Sequence, residues 1–225
     1  MCACVVALAV GFIGCSSDAA LDVNPNESTS TTSAALTPEA PNDVYILDGI
    51  VGAGSGCVGL GSVIPTIAPD RKSFTVAFTE MQLEYPPAPA LKSKNCAVTM
   101  NIHVPHGWQF SIATIDTRGY ANFPAPVSAR QISSYFFAGV PLGLQAHSTI
   151  SGPTDPLGEL YTFTDYVGFS SLVWSPCGAT RPFTINSRIV MDARQAPADT
   201  EAIFSNDTVD GEFHKVFNWQ WRTCP

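Results

Sequence analysis

Beyond residue 43, apolar and polar residues alternate with a period of two along most of the chain, and helical periodicity is scarce. The run Cys96–Val104 puts Cys96, Val98, Met100, Ile102 and Val104 on one face, with Thr99, Asn101 and His103 on the other. Phe74–Phe78 alternates in the same way, as does Phe183–Met191 with Ile185, Ile189 and Met191 inward. Near the C-terminus Phe213, Phe217, Trp219 and Trp221 share a face opposite His214, Asn218, Gln220 and Arg222. Such one-sided alternation is what an antiparallel sheet shows when one face covers a core. Val44–Ile50, Ser62–Ile67, Gln109–Thr117, Ala129–Phe137, Leu144–Ile150 and Leu160–Val167 are further strand candidates. Turn signals separate the runs, at Pro69-Asp70-Arg71, Pro105-His106-Gly107, Gly152-Pro153 and Asp210-Gly211. About ten short strands predict an all-β fold, an antiparallel two-sheet β-sandwich. Glu80–Asn95, with Pro86, Pro87 and Pro89, reads as an irregular excursion between strands.

The first 42 residues follow another pattern. Val5–Gly14 is an apolar run too short to span a bilayer and of the length of a signal-peptide core. It ends at Cys15, and Phe12-Ile13-Gly14-Cys15-Ser16-Ser17 resembles the lipobox of a bacterial lipoprotein signal. The resemblance implies a signal peptide over 1–14, cleavage before Cys15 and acylation of that cysteine, anchoring the protein to a membrane. Ser16 after it resembles outer-membrane sorting, so the expected location is the cell envelope, as an outer-membrane or cell-surface lipoprotein. The first basic residue is Arg71, so the usual positive n-region is missing. A start upstream of Met1 would account for that; an ordinary secretory signal is the alternative. Ser16–Asn42 is rich in Ser, Thr, Asn, Ala and Pro and has too few large apolar residues to offset its ordering entropy. Residues 15–42 therefore read as the lipidated cysteine and a flexible tether, reaching roughly 30 Å. Residues 43–225 form the exported domain.

Charge and cysteine content narrow the classes. The chain carries a formal net charge of −8, but the tether alone holds Asp18, Asp22, Glu27 and Glu39 and no base, leaving a mildly acidic domain. A nucleic-acid partner, which calls for a basic patch, is not expected. Of seven cysteines, Cys2 and Cys4 fall in the signal and Cys15 at the lipidation site. The remaining Cys57, Cys96, Cys177 and Cys224 read as two disulfides in an oxidising compartment. Three pairings are possible, and Cys57–Cys96 with Cys177–Cys224 closes the smaller loops.

Five local signatures occur in order: Gly54-Ser55-Gly56-Cys57, Lys94-Asn95-Cys96, Arg118-Gly119-Tyr120, Trp174-Ser175-Pro176-Cys177-Gly178 and Trp219-Gln220-Trp221-Arg222-Thr223-Cys224. Together they resemble the small secreted proteins of domain-of-unknown-function family four-three-six-zero, from about Asp43 to the C-terminus. Ser93 departs from the basic residue usual before Lys94. The resemblance implies export and disulfides, and no catalytic residues.

No catalytic or metal-binding motif stands out. His103 and His106 lack the i, i+4 spacing and the Glu of a zinc helix, and with His147 and His214 they read as strand and turn residues. Asp207, Asp210 and Glu212 surround an Asp-Gly hairpin turn, not an EF-hand loop. There is no G-x-S-x-G elbow, and the Gly-rich Gly52–Gly61 stretch reads as a loop without a phosphate-binding Lys. Glu80, Glu84, Asp116, Glu159 and Asp165 are available for carboxylate chemistry, which requires a pair about 5–10 Å apart in space. Trp108, Tyr120 and Trp174 flank turns and offer rings for stacking on a ligand, unless they plug the ends of the sandwich. The expectation is a non-catalytic structural or binding protein with no cofactor. The alternatives are a glycan- or peptide-binding module using those aromatics, and a carboxylate-dependent hydrolase.

Overall fold

The computed structural model describes residues 40–47, 49–59, 61–139, 143–167, 173–177, 180–206 and 215–225. Residues 1–39, and with them the signal segment and Cys15, lie outside the described residues, as do Asp207, Asp210, Glu212, Phe213 and His214. The described residues hold thirteen strands in two antiparallel sheets: β1 Tyr45–Ile46, β2 Val51–Ala53, β3 Val63–Ile67, β4 Ser73–Phe78, β5 Gln82–Tyr85, β6 Leu91–His103, β7 Trp108–Asn122, β8 Ser128–Phe137, β9 Leu144–Ser151, β10 Glu159–Tyr166, β11 Pro182–Asp192, β12 Ala202–Ser205 and β13 Lys215–Thr223. The six-stranded sheet runs β1-β6-β11-β8-β9, with β2 beside β1 on the outer edge of β6. In the seven-stranded sheet β7 is the axis. Its residues 108–117 pair with β13 and 120–122 with β12, so β12 and β13 lie end to end along one edge. β4 and β3 extend beyond β13, β5 beyond β12, and β10 takes the opposite edge of β7.

Of the predicted inward residues, those whose burial is described are inward, with Val104 half-buried; Phe213 and the Phe217 side chain lie outside them. Cys96, Val98, Met100, Ile102, Phe183, Ile185, Ile189, Met191, Trp219 and Trp221 all belong to the buried core. Rings bridge the two sheets. Phe110 on β7 meets Phe137 and Phe183 of the opposing sheet at 5.2 and 5.9 Å, and Trp219 and Trp221 of its own at 5.5 and 5.8 Å. Phe74 on β4 meets Phe183 at 6.1 Å. Offset and edge-on ring pairs of this kind contribute about 0.5–1.5 kcal/mol each beyond their burial.

A β-bulge keeps β7 in phase. Asn218 faces Thr114 and Trp219 faces Ile112, so Ala113 is the extra residue. Phe110 and Ile112 are buried before it, and Ile115, Thr117, Gly119 and Ala121 after it. Without the extra residue every side chain on one half of the strand would turn to solvent. The carbonyl of Ala113 is taken by the Val167 amide at 2.9 Å.

Two expectations need correction. Glu80–Asn95 is not irregular throughout, because it contains β5 and the start of β6. Its prolines follow β5 and bound it instead of breaking it. Lys92 and Lys94 take inward phase on β6 and carry their ammonium groups out to the carbonyls of Glu84 and Glu80, at 2.5 and 2.8 Å, which hides the alternation. Gly52–Gly61 begins in β2, which pairs with β6, so it is not all loop. At the other end of the tether segment, Ala40 and Pro41 are buried, and Asn42 accepts a hydrogen bond from Arg71 at 2.9 Å.

Both disulfides are present, Cys57–Cys96 and Cys177–Cys224. The first joins the loop after β2 to the middle of β6. The second ties the end of β13 to the segment that continues β10 along the free edge of β7. There the Phe110 amide donates to Ser175 Oγ at 3.1 Å, and the Ser175 amide donates to the Phe110 carbonyl at 2.8 Å.

Two core phenols make the fold sensitive to alkali. Burial pushes Tyr135 up to about 12, against a smaller lowering by its hydrogen bond with Ser111, and burial also raises Tyr161 well above the ordinary phenol value. The neutral phenols are the native form. Their contribution to stability is complete below the ordinary phenol value near 10 and is lost as pH rises towards 12. Phenolate absorbance should therefore show two tyrosines ionising only together with unfolding, and Tyr135→Phe should remove one of them. Appearance of all phenolates before the unfolding transition would contradict this burial.

Candidate functional site

The open end of the sandwich, where β6 turns into β7, holds a groove of about 390 Å³. The turn that builds it is closed by the Trp108 amide donating to the Pro105 carbonyl at 3.2 Å, with Gly107 at φ 84° in its third position. That positive φ is why glycine stands there. The Gly107 carbonyl accepts from the Cys224 amide at 2.7 Å, so the second disulfide holds the turn. Ile102, Phe110 and Phe137 line the apolar part of the groove, with His103, His106 and Arg181 among the polar groups. Asp43 also lines it and pairs with His103 (Oδ2 to Nε2, 3.3 Å), while the Tyr45 ring stacks on the imidazole at 4.5 Å.

Trp108 is half-buried at the edge of this groove. It also lines an adjoining shallow depression bounded by Ala40–Asp43 and Pro105. Trp108 packs against the core on its inner side and lines both depressions on its outer side.

The other two expected aromatics lie elsewhere. Tyr120 is on β7 beyond the bulge, and its hydroxyl donates to the Leu157 carbonyl at 3.0 Å. Trp174 stacks against the Arg222 guanidinium at 4.1 Å, which in turn donates to Gln109 Oε1 at 3.0 Å. Trp108, Tyr120 and Trp174 therefore do not form one row. Trp174 is next to Ser175, which does line the groove. Asp43, Tyr45 and Arg181 carry no motif; only folding brings them to the mouth.

The candidate acids do not converge. Asp116 and Asp165 sit on neighbouring strands, but Asp116 faces out beside Thr164, to which it is hydrogen-bonded at 2.7 Å. Asp165 faces inward and accepts from Ser148 of β9 at 3.1 Å. Glu80 precedes β5 and Glu84 lies within it, beyond β12, and Glu159 opens β10 at the far edge. His147 is exposed on β9.

The family model described as "Domain of unknown function (DUF4360)" matches residues 44–224. The chain belongs to the DUF4360 family. A relative from Arthroderma benhamiae, an "Uncharacterized secreted protein", is 34% identical over 186 residues, covering 82% of this chain and 73% of its own length. Among solved structures, TmCBM61 in complex with beta-1,4-galactotriose aligns at 8% identity over 79% of this chain and 90% of that one, with a TM-score of 0.26. The enzymatically active domain of bacteriophage CBA120 tailspike protein 4 aligns at 9% over 80% and 19%, with a TM-score of 0.22. Neither score supports an argument about fold or ligand.

The DUF4360 signature Arg118-Gly119-Tyr120 has a physical basis in this chain. Gly119 faces inward, directly opposite Tyr161 on β10. A Cβ there would stand 2.1 Å from the Ser205 carbonyl oxygen and 2.4 Å from the Tyr161 hydroxyl, which itself donates to Ser205 at 2.7 Å. Gly119→Ala should cost about 1–3 kcal/mol, read as a lower urea midpoint. Adding Tyr161→Phe should restore little, because the clash with the backbone oxygen remains. An unchanged midpoint in Gly119→Ala would show that this packing is slack.

Proposed function

We propose that this DUF4360 domain is an exported, non-catalytic binding module that takes a glycan in the groove at the open end of the sandwich, with Trp108 as its stacking platform. The observation that carries the reading is that the half-buried Trp108 lines two adjoining depressions, beside His103, His106 and Arg181. An indole face offers a sugar ring apolar contact, and a few convergent polar groups fix its orientation. The acids available for hydrolysis are dispersed over both faces and both ends of the seven-stranded sheet, which favours binding over turnover. Export is supported by the two disulfides and by the description of the A. benhamiae relative as secreted.

The lipobox-like segment adds a second element, acylation of Cys15 and retention at the cell envelope through residues 16–39. The secreted relative favours the other form of export, release without an anchor. Palmitate labelling and membrane fractionation of wild type and Cys15→Ala separate the two. Anchoring predicts label and membrane recovery in wild type alone, whereas equal behaviour of both proteins means release.

Glycan arrays and cell-wall pull-downs, run with a hydrolase panel on the same material, test the binding reading. Trp108→Ala should weaken binding about 5- to 150-fold, the range expected for about 1–3 kcal/mol of ring burial. Robust turnover abolished by a single Asp or Glu substitution would replace the module with a hydrolase. Glycan binding that is indifferent to Trp108→Ala would move the site away from the groove.

A further inference from the structure

The six-stranded sheet is depleted of negative charge in a chain whose net charge is −8. Its four long strands β6, β8, β9 and β11 carry one carboxylate among them, Asp192. That carboxylate is already clasped: Arg194 donates to it through Nε at 2.9 Å and through a terminal nitrogen at 2.6 Å. The same pair holds the Asp192 carboxyl down at about 2, so it stays charged and compensated at any physiological pH.

On the outer face of this sheet, register sets two arginines diagonally. Arg130 of β8 faces Val190 of β11, and Arg188 of β11 faces Ile132 of β8. Side chains so placed are separated by about 7–8 Å at their bases, within reach of one ligand for groups as long as arginine. Both are exposed, and neither guanidinium makes a hydrogen bond or an ion pair among the described residues. Between them lies a groove of about 340 Å³. Ile132 and Val190 contribute its apolar surface, Ser128 and Thr149 supply hydroxyls, and Asp192, with its charge taken up by Arg194, lines one end. Its lining runs from Leu91 on β6 to Thr149 on β9, across three strand spacings of about 4.8 Å, or roughly 14 Å.

We infer that this groove is a second binding site, for an acidic glycan bearing carboxylate or sulfate groups. A paired-arginine site suits planar or tetrahedral anions, which accept two parallel hydrogen bonds from one guanidinium. The hydroxyls and aliphatic surface between the cations suit the uncharged parts of a sugar chain. The groove's length suits an oligomer better than a lone ion. Two cations on an acidic protein fall short of the basic footprint that a nucleic acid requires. The site stands apart from the open-end groove and does not depend on the reading of Trp108.

The test is titration calorimetry of the full domain with oligogalacturonate, a heparin oligosaccharide, maltohexaose, sodium sulfate and a DNA oligonucleotide. At least one acidic oligosaccharide should bind saturably, and affinity should fall as salt rises. Arg130→Gln and Arg188→Gln should each weaken it about tenfold or more, and the double variant should abolish it. Arg118→Gln, which removes the same charge from the outer face of the other sheet, should leave it unchanged. Preference for the carboxylated or the sulfated probe identifies the anion, and either supports the site. These substitutions lie at exposed positions, so thermal melts should match wild type. No saturable binding of either acidic probe, maltohexaose binding that the two arginine variants weaken equally, binding of sulfate alone, tighter binding of DNA, or an equal loss in Arg118→Gln would overturn the proposal.

Discussion

Phe110 is the residue on which the two sheets, the free edge of β7 and the open end of the sandwich all depend. Its ring meets two rings of the opposing sheet and two of its own. Its backbone amide and carbonyl are both occupied by Ser175, which closes the edge left beyond β10. The same side chain lines the groove beneath Trp108. Packing at this position therefore sets the spacing of the sheets and the depth of the groove together. The Ala113 bulge serves the same end, since it lets β7 bury Phe110 on one side of the irregularity and Ile115 on the other.

Covalent links reinforce this arrangement at two places. Cys57–Cys96 fastens the outer edge of the six-stranded sheet, where β2 is only three residues long. Cys177–Cys224 fastens the open end, where the Gly107 carbonyl receives the Cys224 amide. Loops of 39 and 47 residues should each stabilise by about 3–4 kcal/mol on the chain-entropy account.

Strands with uniform alternation were legible in the sequence, and those with mixed inward faces were not. β6 from Cys96 onward and β4 place apolar side chains at every second residue, and β11 does so except at the buried Ser187, so both class and burial follow from that pattern. Lys92 and Lys94 break it because their ammonium groups escape to carbonyl oxygens at the sheet edge. β5 and β12 have four residues each, too few for a period to declare itself. The three-residue step from Ile112 to Ile115 is the one local sign of the bulge. The disulfide pairing followed from loop size. Of the candidate site, Trp108 was legible because it stands next to a turn. Tyr120 looks similar beside Arg118-Gly119 in the sequence but lies within β7, and Trp174 is separated from the groove by its contact with Arg222. Asp43 and Arg181 are far apart in sequence and meet only through the fold. The arginine pair on the six-stranded sheet needs the β8–β11 register, which no single-strand pattern carries.

The indole N–H resonances of the four tryptophans offer the most direct measurement of the central claim, that the ligand seats over Phe110 against Trp108. Proton–nitrogen correlation spectra would be recorded while titrating soluble gluco-, chito- and galacto-oligosaccharides. The account predicts that the Trp108 resonance shifts saturably, while those of the buried Trp219 and Trp221 stay in place. A bound sugar that shifts Trp174 or the core pair and leaves Trp108 unmoved would contradict it.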